Sequence, residues 1–581
     1  MFNSKTPQFD KSLEEILTNL KPYKKTCKQC QGVFDIFQED IEFYKKLRVP
    51  PPTLCFRCRL QRRLGYRISF LPIFYKKACS APNHNEKIIS FYSEKNPVKV
   101  YDDEYYLSDR WDGLEFGRDC DFEKSFFEQF YQLALTVPHQ SLFKDPKSID
   151  CDYVISGLSS KNCYYVTVPL FSENIYYSFK PFYSKDSLDT FQLNYSEQCY
   201  GGIYLDRCYN CNFCYECSNC LDSWFLYDCR NCQNCFGGTN LRNKRYYFFN
   251  QSLTKEEYQN KIKEISLGKR SILKDYQLKF KELLQGAIRK NLNNVKVQNS
   301  LGNGLKDCRD CFYCFDVYGG ENENLRYSVS FEKTNKNIMD SSGGSCDSLL
   351  YESTGVAYGS EIKFSIMIRT GLELEYCTEC NNCDYCFGCF GLKNKRYCIF
   401  NKQYSEDEYW QLVDKIKSKM LEDGEYGEFF PLSMSPLPYN DSNASIEFPL
   451  SKEEIIKNGW HWQEEAKSEI DLSKFKVLKA EEVPDDIKDI SDDILNSVII
   501  CEQTGKPFRI TKFEIDFYRK KNLPLPTIHP LQRIKNRFLF RRPYRLWRDP
   551  CSKCGKIMYS GWDPAKKFKV YCEACYLAEV V

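Results

Sequence analysis

Four cysteines near the N-terminus, Cys27-x2-Cys30 and Cys55-x2-Cys58, stand in two tight pairs. Each CxxC turn presents two thiolates, and two turns complete a tetrahedral shell for zinc. A closed four-thiolate shell leaves no position for water, so it serves folding rather than catalysis. A second set, Cys551-x2-Cys554 and Cys572-x2-Cys575, stands near the C-terminus. The spacing predicts two zinc ions per chain, one near each end.

The two ends are copies of each other. A shift of 474 residues aligns Cys27 with Cys501, Phe34 with Phe508, Phe43-Tyr44 with Phe517-Tyr518, and Pro50-x-Pro52-Thr53 with Pro524-x-Pro526-Thr527. In the second copy Thr504 replaces Cys30 and His529 replaces Cys55, leaving Cys501 and His529 as half a site. After the first copy the pattern is reversed: Cys79 can stand as a first ligand, but Pro82 follows and no cysteine appears before Cys120. Each copy is expected to have held two zinc ribbons and kept a different one.

Basic residues surround these motifs. Arg57, Arg59, Arg62, Arg63 and Arg67 lie in or after the first ribbon; Arg533, Arg537, Arg541, Arg542, Arg545 and Arg548 precede the last. Tyr66, Tyr544 and Trp547 are interleaved. Arginine forks bind phosphate bidentately and exposed aromatics stack on unpaired bases, so RNA or a ribonucleoprotein is the expected partner. A protein surface without nucleic acid is the alternative. No small-molecule substrate is evident.

The middle of the chain is a repeat. Ser148, Ser160, Ser172, Ser184, Ser196, Cys208, Cys220 and Cys232 fall twelve residues apart, and a second slot follows three places later at Cys151, Cys163, Ile175, Ser187, Cys199, Cys211, Ser223 and Cys235. A second array places Ile338, Leu350, Ile362, Leu374 and Cys386 at the same interval. Short units rich in Tyr, Cys, Ser and Asn predict a β-solenoid. Because Trp224 and Phe225 would crowd a twelve-residue coil, two units per coil are expected. Thr254 with Glu257 and Ser405 with Glu408 predict capping boxes that start a helix beyond each array. The cysteines of 208–235 and 377–389 could in principle chelate a metal or cluster, which would make this a redox protein. Serine and isoleucine fill the same slots upstream, so buried structural thiols are the reading preferred here.

The fold class expected is therefore mainly β: two Cys/Tyr-rich β-solenoid arrays with capping helices, flanked by duplicated zinc-ribbon modules. The segments are an N-terminal tail and helix (1–26), module and aromatic connector (27–147), first array (148–253), helical pair (254–300), second array (301–404), capping helix (405–423), Pro-rich linker with short helices (424–500) and second module (501–581). His461, between two tryptophans, reads as a buried structural histidine.

Charge supports this division. The net charge of the 581 residues is only +3, yet residues 21–77 carry 14 Lys/Arg against 4 Asp/Glu, and residues 501–581 carry 18 against 7. Two basic ends on an acidic body suggest polyanion contact at the ends. The 32 cysteines come with no signal-peptide pattern at the N-terminus and no long apolar run, which points to a reducing, cytoplasmic setting and no membrane contact. With four histidines and no Ser/His/Asp, P-loop or dinucleotide-binding pattern, an enzyme has little to work with.

The combination "CKQC…FDI…FYKK…VPPPTLCFRCR", "SDRWDGLEFGRDCDF…FFEQF", "KNCYY", the Asn-Lys-Arg-Tyr blocks and "SPLPYN…FPLSKEE…GWHW" resembles a family of large zinc-ribbon proteins of small-genome, uncultivated candidate-phyla bacteria. The resemblance covers nearly the whole chain. It implies the same eight cysteine ligands and no further chemistry.

Overall fold

The computed structural model describes residues 4–465 and 470–581. The first three residues of the tail and residues 466–469 of the Pro-rich linker lie outside the described residues. The chain divides into two compact units. One comprises Met1–Phe143, Leu292–Gln463 and Arg542–Leu546; the other comprises Lys144–Asn291, Glu464–Arg541 and Trp547–Val581.

In the second unit, successive repeats pair in parallel with an offset of twelve: Glu173 with Lys185, Ile175 with Ser187, Tyr209 with Leu221, Cys211 with Ser223. Left-handed backbone recurs at every third residue from Phe213 through Asn234, with φ between 47 and 57°. Such corners cost of order ~1 kcal/mol each outside glycine, least for Asn and Asp, and the parallel ladder compensates them. Between corners, every third residue turns into the core, so Cys208, Cys211, Cys214, Cys217, Cys220, Leu226 and Cys229 share one buried cluster. No buried side chain of that cluster is larger than leucine. The bulky neighbours sit at corners instead: Phe225 stacks on Phe213 at 5.2 Å and packs against Phe280 of the helix Arg270–Gly286. Two units per coil are therefore unnecessary, since Phe225 never has to enter the interior.

The first unit overturns the expected fold class. Its strands Leu301–Arg309, Phe312–Tyr318, Asn322–Arg326, Val329–Glu332, Asn335–Met339, Ser342–Ser345, Ser348–Tyr351 and Thr354–Lys363 pair in parallel around a closed circuit of eight, a barrel. Among the described residues, 26% are helical and 31% lie in strands. A mixed α/β protein with a parallel barrel thus replaces the mainly β double solenoid. The repeat pattern could not reveal closure, because a barrel and an open stack turn the same positions of each repeat inside. The barrel is filled by Leu305, Val317, Leu325, Phe331, Ile338 and Leu350.

Helices cover the edges. Thr254 and Glu257 cap the helix Lys255–Glu264, and Ser405 and Glu408 cap the helix Glu406–Glu422, each through reciprocal side-chain bonds. Phe126, on the helix Phe126–Thr136, packs on Tyr376, Phe387 and Phe400. His461 is exposed, contrary to its apolar flanks; the neighbouring Trp460 stacks on Tyr439. A buried histidine is instead His139, whose ring meets the Tyr92 hydroxyl at 3.1 Å and the Ala134 carbonyl at 2.9 Å.

Candidate metal centres

Each metal-binding motif is built on a two-stranded hairpin and a helix. In the first unit, Tyr23–Thr26 pairs with Val33–Ile36, and the turn between them carries Cys27 and Cys30. The Cys27 N–H donates to Gly32 O at 2.9 Å, and the Lys28 N–H ties the turn to Thr53 O at 3.1 Å. Cys55 then stands as N-cap of the helix Phe56–Leu64, whose first turn holds Cys58. The second unit repeats the construction. Trp547–Pro550 pairs with Ile557–Ser560 around Cys551 and Cys554, and Cys572 caps the helix Glu573–Val580 with Cys575 in its first turn.

In both sets the four Sγ atoms lie within 4.8 Å of one another, so each could hold a metal ion. The second and third thiols meet at the same distance in the two copies: Cys30 to Cys55 at 3.8 Å and Cys554 to Cys572 at 3.8 Å. The Cys58 thiol bonded to Cys55 draws the Cys55 pKa down to about 5, against the opposing effect of burial. Desolvation also opposes ionisation of Cys551, but the N–H groups of Cys554 and Cys572 aimed at it hold its pKa near about 6. Each set thus holds one thiol, Cys55 or Cys551, that favours thiolate at neutral pH, while Cys58 is raised chiefly by its bond to Cys55 and Cys575 chiefly by its bond to Cys572. No water-filled fifth position is needed: all four donors come from the protein.

The half-site at Cys501 keeps the scaffold without the ligands. Cys501 N–H donates to Lys506 O at 2.9 Å, and the His529 N–H donates to Cys501 Sγ at 3.2 Å. His529 caps the helix Pro530–Phe538, with Nδ1 accepting from the Leu531 N–H at 3.1 Å. That nitrogen is engaged in capping. Among the described residues, Cys501 joins no cluster of three candidate donors.

The array cysteines do different work. Cys211 Sγ donates toward Tyr209 O at 3.5 Å and Cys220 O at 3.2 Å, and Cys380 and Cys383 make the same bonds in the second array. Serine does likewise: Ser184 Oγ donates to Phe182 O at 3.0 Å. Burial pushes the Cys199 thiol up to about 12 and holds Cys214 well above its ordinary value. Cys199 and Cys214 are thus neutral thiols donating to backbone, and among the described residues no array cysteine belongs to a cluster placed to hold a metal.

The arginines expected at a nucleic-acid surface are mostly engaged inside the protein. Arg59 pairs with Asp340 at 2.8 Å, Arg62 with Glu352 at 3.0 Å and Glu428 at 2.9 Å, and fully buried Arg63 lies 3.6 Å from both Asp340 and Glu352. Arg533 pairs with Asp189 and Glu514, and Arg537 with Asp189 at 3.0 Å. Arg57 reaches Glu447 and the Tyr544 carbonyl, and Arg67 lies against Met367. Arg541 and Arg542 are half-buried; Arg545 and Arg548 are exposed. The buried set cannot contact a phosphate, because its charge already compensates carboxylates in the core. Those carboxylates, Asp340, Glu352 and Asp189, occupy left-handed corners of the arrays. Sequence reading missed them. The signal available was the twelve-residue interval between Asp340 and Glu352.

No family model, curated protein or solved structure matches the chain. Among the described residues, no helix is long and apolar enough to cross a membrane.

Proposed function

We propose that the protein is a zinc-stabilised structural adaptor whose exposed knuckle hairpins contact RNA or a ribonucleoprotein. The observation that carries the zinc reading is the repeated 3.8 Å spacing of Cys30–Cys55 and Cys554–Cys572. A tetrahedron with metal–sulfur bonds of about 2.3 Å has edges of about 3.8 Å. Zinc in such a closed site locks the hairpin to the helix and takes no part in a reaction.

The buried arginines narrow the contact surface to the hairpins themselves. Arg548 and Tyr559 face each other across the C-terminal hairpin and both are exposed, with Lys556 at its turn. The N-terminal hairpin exposes Lys24 and Lys28. A cation beside an aromatic on a strand surface suits a single-stranded backbone and a stacked base.

Anisotropy of a labelled single-stranded RNA, titrated with the full chain at low and physiological salt, tests this reading. Binding should weaken with salt at a log–log slope of roughly −0.7 for each phosphate contacted, and R548E with K556E should lose at least tenfold in affinity. Absent binding, or affinity indifferent to salt, would reject RNA in favour of a protein partner.

A further inference from the structure

The four hairpin-and-helix knuckles share one backbone pattern, and one of them assembles a donor set that its sequence disguises. Tyr75–Ala78 pairs with Lys87–Ser90, and Cys79 begins the turn as Cys27 and Cys551 do. Cys79 N–H donates to Glu86 O at 3.1 Å and Ser80 N–H to Val100 O at 2.8 Å, matching the bonds of Cys551 to Lys556 O and Ser552 to Val570 O at 2.9 and 2.8 Å. Asp102 caps the helix Asp103–Leu107, the place that Cys55 and Cys572 take in their knuckles.

Around this frame stand Cys79, His84, Glu86 and Asp102, with one donor atom of each within 4.8 Å of the others. His84 Nδ1 lies 2.7 Å from Glu86 Oε1 and 3.5 Å from Asp102 Oδ2, and Cys79 Sγ lies 3.7 Å from the same Oδ2. Asp102 divides its oxygens. Oδ1 accepts the Tyr105 N–H at 2.9 Å as a helix cap, while Oδ2 faces the cluster. Tyr105 stands where Cys58 and Cys575 stand in the other knuckles, and its ring meets that of His84 edge-on at 5.1 Å. The lost fourth thiol is thereby replaced by an aromatic that orients an imidazole.

We infer that Cys79, His84, Glu86 and Asp102 form a third metal site, binding a divalent transition ion of borderline softness such as zinc. One thiolate, one imidazole and two carboxylates give a tetrahedral donor set that zinc accepts and that magnesium or calcium, which prefer oxygen, would not. Its affinity is lower than that of the four-thiolate sites, because hydrated carboxylates replace two soft ligands and Glu86 is exposed.

The test is metal content of the zinc-loaded full chain by native mass spectrometry. Wild type should carry three zinc ions, and a graded chelator should release one first. H84A and, separately, D102N should each carry two and lose the early-released ion; asparagine keeps the helix cap, so D102N preserves the fold should H84A not. C30S should lose a different, late-released ion. Two ions in wild type, or three ions unchanged in D102N, would overturn the site while leaving the four-thiolate reading intact. If C30S leaves the count unchanged while D102N lowers it, the four-thiolate reading fails and the third site stands.

Discussion

Arg533 Nη1 lies 2.9 Å from Asp189 Oδ2, with 7% and 3% of the two side chains exposed. The residue that a shift of 474 places opposite Arg533 is Arg59, and it makes the corresponding contact in its own unit, 2.8 Å from Asp340. In both units a helix that follows a cysteine knuckle is fastened to a left-handed corner of a repeat array by a buried guanidinium–carboxylate pair. The two aligned segments therefore share a docking device, although only the first carries four cysteines.

Removing the carboxylate strands the cations. In D189A, Arg533 keeps Glu514 as its carboxylate partner, with the Tyr518 hydroxyl, and Arg537 loses its ion-pair partner, so the second unit should lose about 3–5 kcal/mol. D340A should destabilise the first unit by a similar amount, softened by Glu352 beside Arg59 and Arg63. Urea denaturation followed by hydrogen exchange in each unit measures both. A loss below about 1 kcal/mol in D189A would mean that water or rearrangement replaces the carboxylate.

On the proposed zinc reading, the two four-cysteine sets should act as independent local locks. C30S and C554S should each lose one ion, and exchange in the hairpin that loses it should accelerate by at least ~10-fold as that turn opens. In C30S the affected amides are those of Tyr23–Thr26 and Val33–Ile36; in C554S they are those of Trp547–Pro550 and Ile557–Ser560. Acceleration spread evenly over the chain would contradict the local role.

The four-thiolate sets were legible because CxxC is a local signal: two residues fix a turn, and the turn fixes two ligands. Cys79, His84, Glu86 and Asp102 were not, since their meeting depends on a hairpin register and a helix cap rather than on spacing. The twelve-residue interval was also legible, but the geometry it implies was not. Tyr183, Tyr195 and Phe225 take left-handed conformations that sequence rules reserve for Gly, Asn and Asp. Without those corners a small coil has no place for aromatics, and a longer coil is inferred. The fate of Arg59, Arg63 and Arg533 was hidden for a similar reason: a cluster of arginines reads as surface until buried Asp340, Glu352 and Asp189 are placed against it.

Interior thiols of the arrays should be replaceable by serine and not by larger residues. Ser184 and Ser187 already occupy equivalent slots and donate to the carbonyl two residues back, as Cys199 does to Glu197 O at 3.3 Å. C199S should change stability by less than about 1 kcal/mol, whereas C199L overfills a packed interior and should cost about 1–3 kcal/mol. Metal content should stay at the wild-type value in both. A loss of metal or of a visible absorption band in C199S would restore the array cysteines as ligands.

His529 makes the second unit sensitive to mild acid. Burial, reinforced by the positive charges of Lys506 and Arg533, lowers its pKa to about 4, against 6.5 for an ordinary histidine. The neutral ring is the one that fits, because Nδ1 must accept the Leu531 N–H. Between pH 6.5 and 4 the unfolded chain takes up a proton that the folded chain refuses, so stability rises with pH across this window and falls as pH drops. The stabilisation is complete above pH 6.5, and about 3 kcal/mol of it is lost on reaching pH 4. Asparagine retains an N-cap acceptor without a titrating ring, so H529N should flatten this part of the profile while changing stability little at pH 7.5. Other carboxylates titrate in the lower half of the window, and the difference between wild type and H529N cancels them. A difference curve that stays level from pH 7.5 to 4 would show that His529 protonates in the folded chain as readily as in the unfolded one, and its capping role would then be lost.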